Sequence, residues 1–312
     1  KKNEPVMYPI FYDTELEKVI DIKMYEKKGK RLKKIKIKKI YEENVELDYI
    51  ASKKIKSLII PKNKEIVLEY SISCRELMYL SSFNFFSYNK IDTLNYNLKI
   101  PNKFNFTHKT TYKDSLSFYK IDSSKSQFNK NWNIKVIPKK IAHNPLQYFG
   151  IYKNLKIPLM RVLIIPKDYN ENAIKYMNDW YLKKIKSKTN LSYDAKFKID
   201  ELTKGIENKK EIIKVIYDYV RKKFKYVAIE VGMGAFIPSH VNEVYLNKQG
   251  DCKDLSTFLS EALKYKGINS NVALASTFDH TTDCDFPSLS SANHVVCVAD
   301  IKNQKIVLDP TD

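Results

Sequence analysis

Gly250-Asp251-Cys252-Lys253-Asp254 places a cysteine on the first turn of a strongly marked helix. Gly250 permits a tight turn, Asp251 is a helix cap, and Asp254 three residues later completes an Asp-x-x-Asp variant of the capping box, so the spacing predicts a helix from Cys252. Leu255, Phe258, Leu259, Ala262 and Leu263 then recur at helical spacing, and Gly267 after Lys264 and Lys266 is a stop signal. One face of this helix is expected to be buried. A thiol at its N-terminus meets unsatisfied backbone N–H groups and the positive end of the helix dipole, which favour a nucleophilic thiolate. Read alone, Cys252 is equally a small buried residue that begins a core helix.

The flanks of this helix read as an α+β unit. Upstream, 170–188 carries Ile174, Met177, Tyr181 and Ile185 at helical spacing, and 209–224 carries Ile212, Ile213, Ile216, Tyr219, Val220 and Phe224. Tyr226 to Glu230 reads as extended, and Pro238-Ser239 introduces a short helix over Val241 to Leu246. Downstream come three strand-like runs, Asn271 to Thr277, His294 to Ala299 and Ile306 to Leu308. Before Pro166 the period is two instead: nine runs, among them Leu32 to Ile40 and Leu159 to Ile165, predict an antiparallel β-sandwich-like domain. The expected division is 1–166 for the β-domain and 167–312 for the α+β core.

Composition narrows the class. At 312 residues, 43% hydrophobic and 12% aromatic, the chain can bury a substantial core, and it has no apolar run of the length that spans a bilayer. The net charge of +19 is uneven. Residues 1–150 hold 30 Lys and Arg against 16 Asp and Glu, a net of +14, and residues 151–312 hold the remaining +5. Most of these lysines alternate with apolar residues, as in Lys34-Ile35-Lys36-Ile37-Lys38, so a solvated strand face is expected rather than a specific nucleic-acid site. Nucleic acid, an acidic polymer or an anionic surface could each be attracted by such charge, and an anionic surface is the partner expected through the basic N-terminal domain. The four cysteines, Cys74, Cys252, Cys284 and Cys297, show no Cys-x-x-Cys spacing. Gly232-Met233-Gly234 lacks the third glycine of a phosphate loop and opens no helix, so it reads as a loop where bare backbone approaches a neighbour.

A nucleophilic thiol needs a base, and the base needs an orienting partner. Of His108, His143, His240, His280 and His294, the last opens a strand and is followed fifteen residues later by Asp309 at the end of the next. Cys252 in Gly-Asp-Cys-Lys-Asp, His294 in Asn-His-Val-Val and Asp309 in Leu-Asp-Pro-Thr together resemble the bacterial transglutaminase-like, papain-like superfamily, over about residues 170 to 312. The run from Tyr226 to Ser239 resembles the branch that carries an uncharacterised N-terminal β-domain, and the first 166 residues are similar to that domain.

The resemblance implies a multidomain protein, a β-sandwich-like domain followed by a transglutaminase-like α+β core. It implies a Cys252-His294-Asp309 triad that transfers or hydrolyses amide and peptide acyl groups through a thioester. The backbone N–H of Cys252 is the natural first oxyanion donor. Tyr226, Gly232, Gly234 and Asn293 are assigned to the substrate, with Tyr226 as a candidate second donor. For His294 to face Asp309 directly, Ala299 must pair with Gln304 around a four-residue loop, 300–303, or an equivalent bulge must intervene.

His280, Asp283, Cys284 and Asp285 match no common metal-site spacing, so no metal and no cofactor are expected, and the loop that holds them reads as lining the substrate cleft. Cys297 lies on the face opposite His294 and reads as packed. The expected partner is a protein or peptide substrate. Residues 1–5 show no apolar signal core, so the chain reads as either cytoplasmic or a mature form whose export signal is absent from this sequence, with export to the periplasm or cell surface as the expected location. The competing expectation is a catalytically silent extracytoplasmic binding or scaffold protein that keeps the fold.

Overall fold

The computed structural model describes residues 6–44, 53–80, 82–85, 92–111, 113–138, 158–169, 172–228, 236–277 and 286–311. The first half is built of strands: β1 (Val6–Asp13), β2 (Glu17–Lys28), β3 (Arg31–Ile35), β4 (Ile40–Asn44), β5 (Lys53–Ile60), β6 (Ile66–Cys74), β7 (Ser82–Asn84), β8 (Leu94–Pro101), β9 (Phe104–Thr111), β10 (Leu116–Lys125), β11 (Asn129–Pro138) and β12 (Leu159–Pro166). They form four three-stranded antiparallel sheets, with β5, β2, β11 and β12 at their centres.

Sheets β1-β5-β4 and β3-β2-β6 share a core of Ile10, Met24 and Leu58. A second core, with Phe85, Leu116, Ile134, Val136, Met160 and Val162, joins β10-β11-β8 to β7-β12-β9. The expected single strand over Leu32 to Ile40 is divided. β3 stops at Ile35 and β4 starts at Ile40 in the other sheet, so the lysine-rich link between them is where the chain changes layer. Lys30, Arg31, Lys33, Lys34, Lys36, Lys38 and Lys39 are all exposed, as a solvated face requires.

β12 has both faces covered. Its run Leu-Met-Arg-Val-Leu-Ile-Ile is continuously apolar but for Arg161, the pattern of a strand buried on two sides. Met160 and Val162 enter the β-core, while Leu163 and Ile165 point away from it into a cluster with the helical half.

The second half holds α1 (Ala173–Ile185), α2 (Tyr193–Leu202), α3 (Lys209–Lys223), β13 (Lys225–Tyr226), α4 (Val241–Asn247), β14 (Gln249–Gly250), α5 (Cys252–Tyr265), β15 (Asn269–Ala275), β16 (His294–Ile301) and β17 (Gln304–Leu308). β13 pairs in parallel with β14, and β15, β16 and β17 form an antiparallel sheet. The helix beginning at Cys252 is enclosed on nearly every side rather than along one stripe. Leu255, Phe258, Leu259, Ala262 and Leu263 share one core with α3, α4 and the sheet. Two of its three buried hydroxyls are satisfied: Ser256 Oγ donates to the Val295 carbonyl at 3.0 Å and Ser260 Oγ donates to Ser270 Oγ at 3.4 Å, while Thr257 Oγ1 has no partner among the described residues. Among the described residues no helix is long and apolar enough to cross a membrane.

Candidate active site

The mouth of α5 is held by the two aspartates that flank the cysteine. Asp251 Oδ1 accepts from the Asp254 N–H and Asp254 Oδ2 accepts from the Asp251 N–H, both at 3.3 Å, which is the reciprocal capping box. Asp254 Oδ1 also accepts from the Ser239 N–H at 2.7 Å, tying the helix start to the segment before α4. Lys253 turns back to form a buried ion pair with Asp251.

Gly250 serves a different purpose from the expected turn. It lies in β14, and a Cβ there would come within 2.6 Å of the Asp254 Cβ, so the close approach of Asp254 excludes a side chain at 250.

Cys252 and His294 line one cavity of about 220 Å3, together with Phe236, Asp251, Lys253, Leu274, Leu289, Ala292, Asn293 and Val295. His294 Nε2 is 2.7 Å from Asp309 Oδ2. That bond leaves Nδ1 as the ring nitrogen available toward the cavity. Asp309 is itself fixed: the Thr311 N–H and Oγ1 donate to its Oδ1 at 3.1 and 2.7 Å, and Tyr217 Oη donates to its backbone carbonyl at 2.8 Å. The sequence signal for Thr311 is the Asp-Pro-Thr turn, in which an aspartate caps the backbone two residues on. Tyr217 has no such signal.

The hairpin that joins His294 to Asp309 corrects the expected register. Ile301 pairs with Gln304 around a two-residue turn, Lys302-Asn303, and Ala299 pairs with Ile306 rather than Gln304. Both turn residues have positive φ, 51° and 66°, as the tight hairpin turn matched to strand twist demands, although neither is glycine. Continued past Leu308, this register puts Asp309 level with Val296, two residues from His294. The carboxylate reaches the imidazole across that diagonal because β17 ends at Leu308.

The electrostatics also differ from the expectation at Cys252. Burial and the Asp251 carboxylate push its thiol above the ordinary value, against the pull of the Val295 N–H, the Lys253 ammonium and the Lys253 N–H. Desolvation and the Asp251 charge outweigh the hydrogen bonds at the helix mouth, so ionisation of Cys252 is disfavoured relative to an ordinary cysteine. Val295, which follows His294 on β16, lines the cavity beside Cys252, so the cysteine lies next to the strand that bears His294.

At Asp309, burial favours the neutral acid, but hydrogen bonds from Thr311 and His294 prevail and hold the carboxyl below its ordinary 3.8. A carboxyl with a lowered folded-state pKa stabilises the fold above its unfolded value and loses that contribution as pH falls through the folded one. Asp309 is therefore expected to protonate at lower pH than an ordinary aspartate, and a carboxyl-carbon NMR titration showing a midpoint at or above 3.8 would contradict this.

The remaining candidates divide. Asn293 lines the cavity and is locked to Thr277, accepting from its N–H at 3.0 Å and donating to its Oγ1 at 2.7 Å. Tyr226 pairs through the backbone with Gly250, but its side chain is absent from the cavity lining. Gly232 and Gly234 lie outside the described residues, as do His143 and the cleft-loop residues His280, Asp283, Cys284 and Asp285. His240 caps α4 through Nδ1, and His108 packs against Phe106 and Trp132. Cys297 is fully buried in the core, which pushes its thiol up to about 12.

Cys252 at the start of an enclosed helix thus shares a cavity with His294, which opens β16 and is paired with Asp309 just past the end of β17. Residues 196–306 match the family model of the transglutaminase-like superfamily, and this part of the chain is a transglutaminase-like domain.

No curated protein matches the chain in sequence. Among solved structures, a candidate protease from Parabacteroides distasonis ATCC 8503 shares the fold over 97% of this chain, with a TM-score of 0.67 and 15% identity; the chain spans 59% of that protein's length. A candidate cysteine protease from Cytophaga hutchinsonii has a TM-score of 0.34 and 10% identity, over 74% of this chain and 70% of its own. The periplasmic domain of TgpA from Pseudomonas aeruginosa has 0.28 and 11%, over 75% and 73%. These last two resemblances are too loose to carry an argument.

Proposed function

We propose that the chain is a cysteine-dependent enzyme that cleaves or transfers amide and peptide acyl groups. The observation that carries this reading is that His294, which lines the same cavity as Cys252, is held at 2.7 Å by Asp309. His294 Nδ1 takes the thiol proton as the Cys252 sulfur attacks the carbonyl carbon, and the same proton passes to the leaving amine when the C–N bond breaks. A thioester remains. Water resolves it to an acid, or a second amine resolves it to a new amide, with His294 accepting the incoming proton and returning it to the departing sulfur.

Asp309 holds the Nε2–H tautomer and balances the imidazolium, and the Cys252 N–H at the mouth of α5 is directed to the oxyanion. Because burial and the Asp251 charge disfavour a free thiolate, loss of the thiol proton to His294 is coupled to attack. In this reading the basic, exposed face of the β-rich half is an accessory surface for an anionic support.

Hydroxylamine competes with both water and amines for a thioester, so hydroxamate formation from a library of glutamine-containing peptides tests the reading without prior choice between hydrolysis and transfer. Wild type is expected to yield hydroxamate and Cys252→Ala none above background. Equal yield from both would overturn the assignment.

A further inference from the structure

The cavity beside Cys252 has an apolar side formed by Phe236, Leu274 and Leu289. Two of these, Phe236 and Leu289, do not belong to the core of the transglutaminase-like half. They sit in a separate cluster whose fully buried members are Met78, Leu163, Ile165 and Leu289, packed with Tyr176, Met177 and Trp180 of α1. Met78, Leu163 and Ile165 come from the β-rich half, are at most 2% exposed, and do not themselves line the cavity. Leu163 and Ile165 occupy the face of β12 turned away from the β-core, and Met78 lies in a short 3-10 turn, Leu77–Tyr79, capped by Glu76. At the rim of the cluster Glu76 pairs with Lys184 of α1 at 2.8 Å.

We infer that the β-rich half is a specificity element of the site: Met78, Leu163 and Ile165 are positioning residues that back Phe236 and Leu289 and so set the depth of a pocket for an apolar side chain of the acyl donor. The inference takes from the proposed function only that the substrate's carbonyl meets Cys252. A densely packed backing fixes the position of the wall it supports, and removing methylene groups from it lets the wall retreat or leaves a void. The reacting residues are fixed elsewhere, by the capping box of α5 and the β16–β17 hairpin, and remain in place when the backing is thinned.

The test needs no known substrate. Cys252 is alkylated by iodoacetamide, which is small, and by N-benzyl iodoacetamide, which must place a ring in the pocket, and the ratio of the two rates is compared among variants whose folding is verified by melting. Met78→Ala is expected to change the ratio about tenfold while the iodoacetamide rate stays within about twofold, since a few methylenes in an apolar pocket are worth roughly that discrimination. Met78→Leu, which conserves volume, is expected to keep the wild-type ratio. Ile165→Val removes a single methyl and keeps the measurement available if Met78→Ala does not fold; its ratio should move in the same direction by a smaller factor.

A ratio unmoved in the folded backing variants, or both rates changing by a common factor, would overturn the inference. Failure of the proposed function is seen separately, as iodoacetamide reactivity in wild type that is indifferent to His294.

Discussion

Asp309→Asn is expected to lower turnover about 10^3- to 10^4-fold while leaving the fold intact, a magnitude typical of reversing the histidine tautomer in a triad. The orientation of the new amide is dictated by its neighbours. The Thr311 N–H and Oγ1 both donate to the oxygen now at Oδ1, so the amide oxygen must stay there and the NH2 group must take the place of Oδ2, facing His294 Nε2. Nε2 then has to accept, its proton moves to Nδ1, and the ring presents a donor where the thiol requires an acceptor. The loss should fall on kcat with little change in melting temperature, because every hydrogen bond is still made. A decrease of less than about tenfold, measured as hydroxamate yield per active enzyme, would show that the tautomer is not set by Asp309.

The second large effect is on stability. Asp254→Ala removes the acceptor for two backbone N–H groups at once, Asp251 at 3.3 Å and Ser239 at 2.7 Å, at a site where Asp251 and Asp254 are both almost fully buried. Each unsatisfied buried donor costs about 1–3 kcal/mol, so with two of them unfolding in urea should show a destabilisation of about 2–6 kcal/mol. Gly250→Ala attacks the same packing from the other side, because its methyl would overlap the Asp254 side chain. A shift below about 1 kcal/mol in Asp254→Ala would mean that water enters and replaces the carboxylate.

The parts of the fold legible in the sequence were those in which local chemistry and burial agree. Asp251, Asp254 and the apolar spacing of α5 pointed to one helix start, and the observed cap is the one they specify. α2 escaped the reading because Tyr193 and Phe197, 80% and 62% exposed, break its amphipathic pattern and only Ala195 and Ile199 are buried. β1 was hidden by Pro9, which this edge strand tolerates because only β5 pairs with it.

At the site, the types and order of Cys252, His294 and Asp309 could be read directly, but the geometry joining them could not. The Lys302-Asn303 turn adopts positive φ without a glycine to announce it, which moved the hairpin register. The thiol's electrostatics were equally out of reach, since burial and the Asp251 charge depend on what packs over the helix mouth. The cluster behind Phe236 and Leu289 joins positions as distant as Met78 and Leu289, which no periodic pattern connects.

The central claim is that His294 activates Cys252, and the pH dependence of Cys252 alkylation by iodoacetamide tests it most directly. With its thiol raised above the ordinary value by burial and Asp251, Cys252 without a base should react only along a limb above about 8.5, the ordinary thiol range. Wild type is predicted to retain reaction near pH 7 that His294→Ala lowers by at least about a hundredfold, the usual scale of a positioned general base. Superimposable profiles for the two proteins would contradict the account.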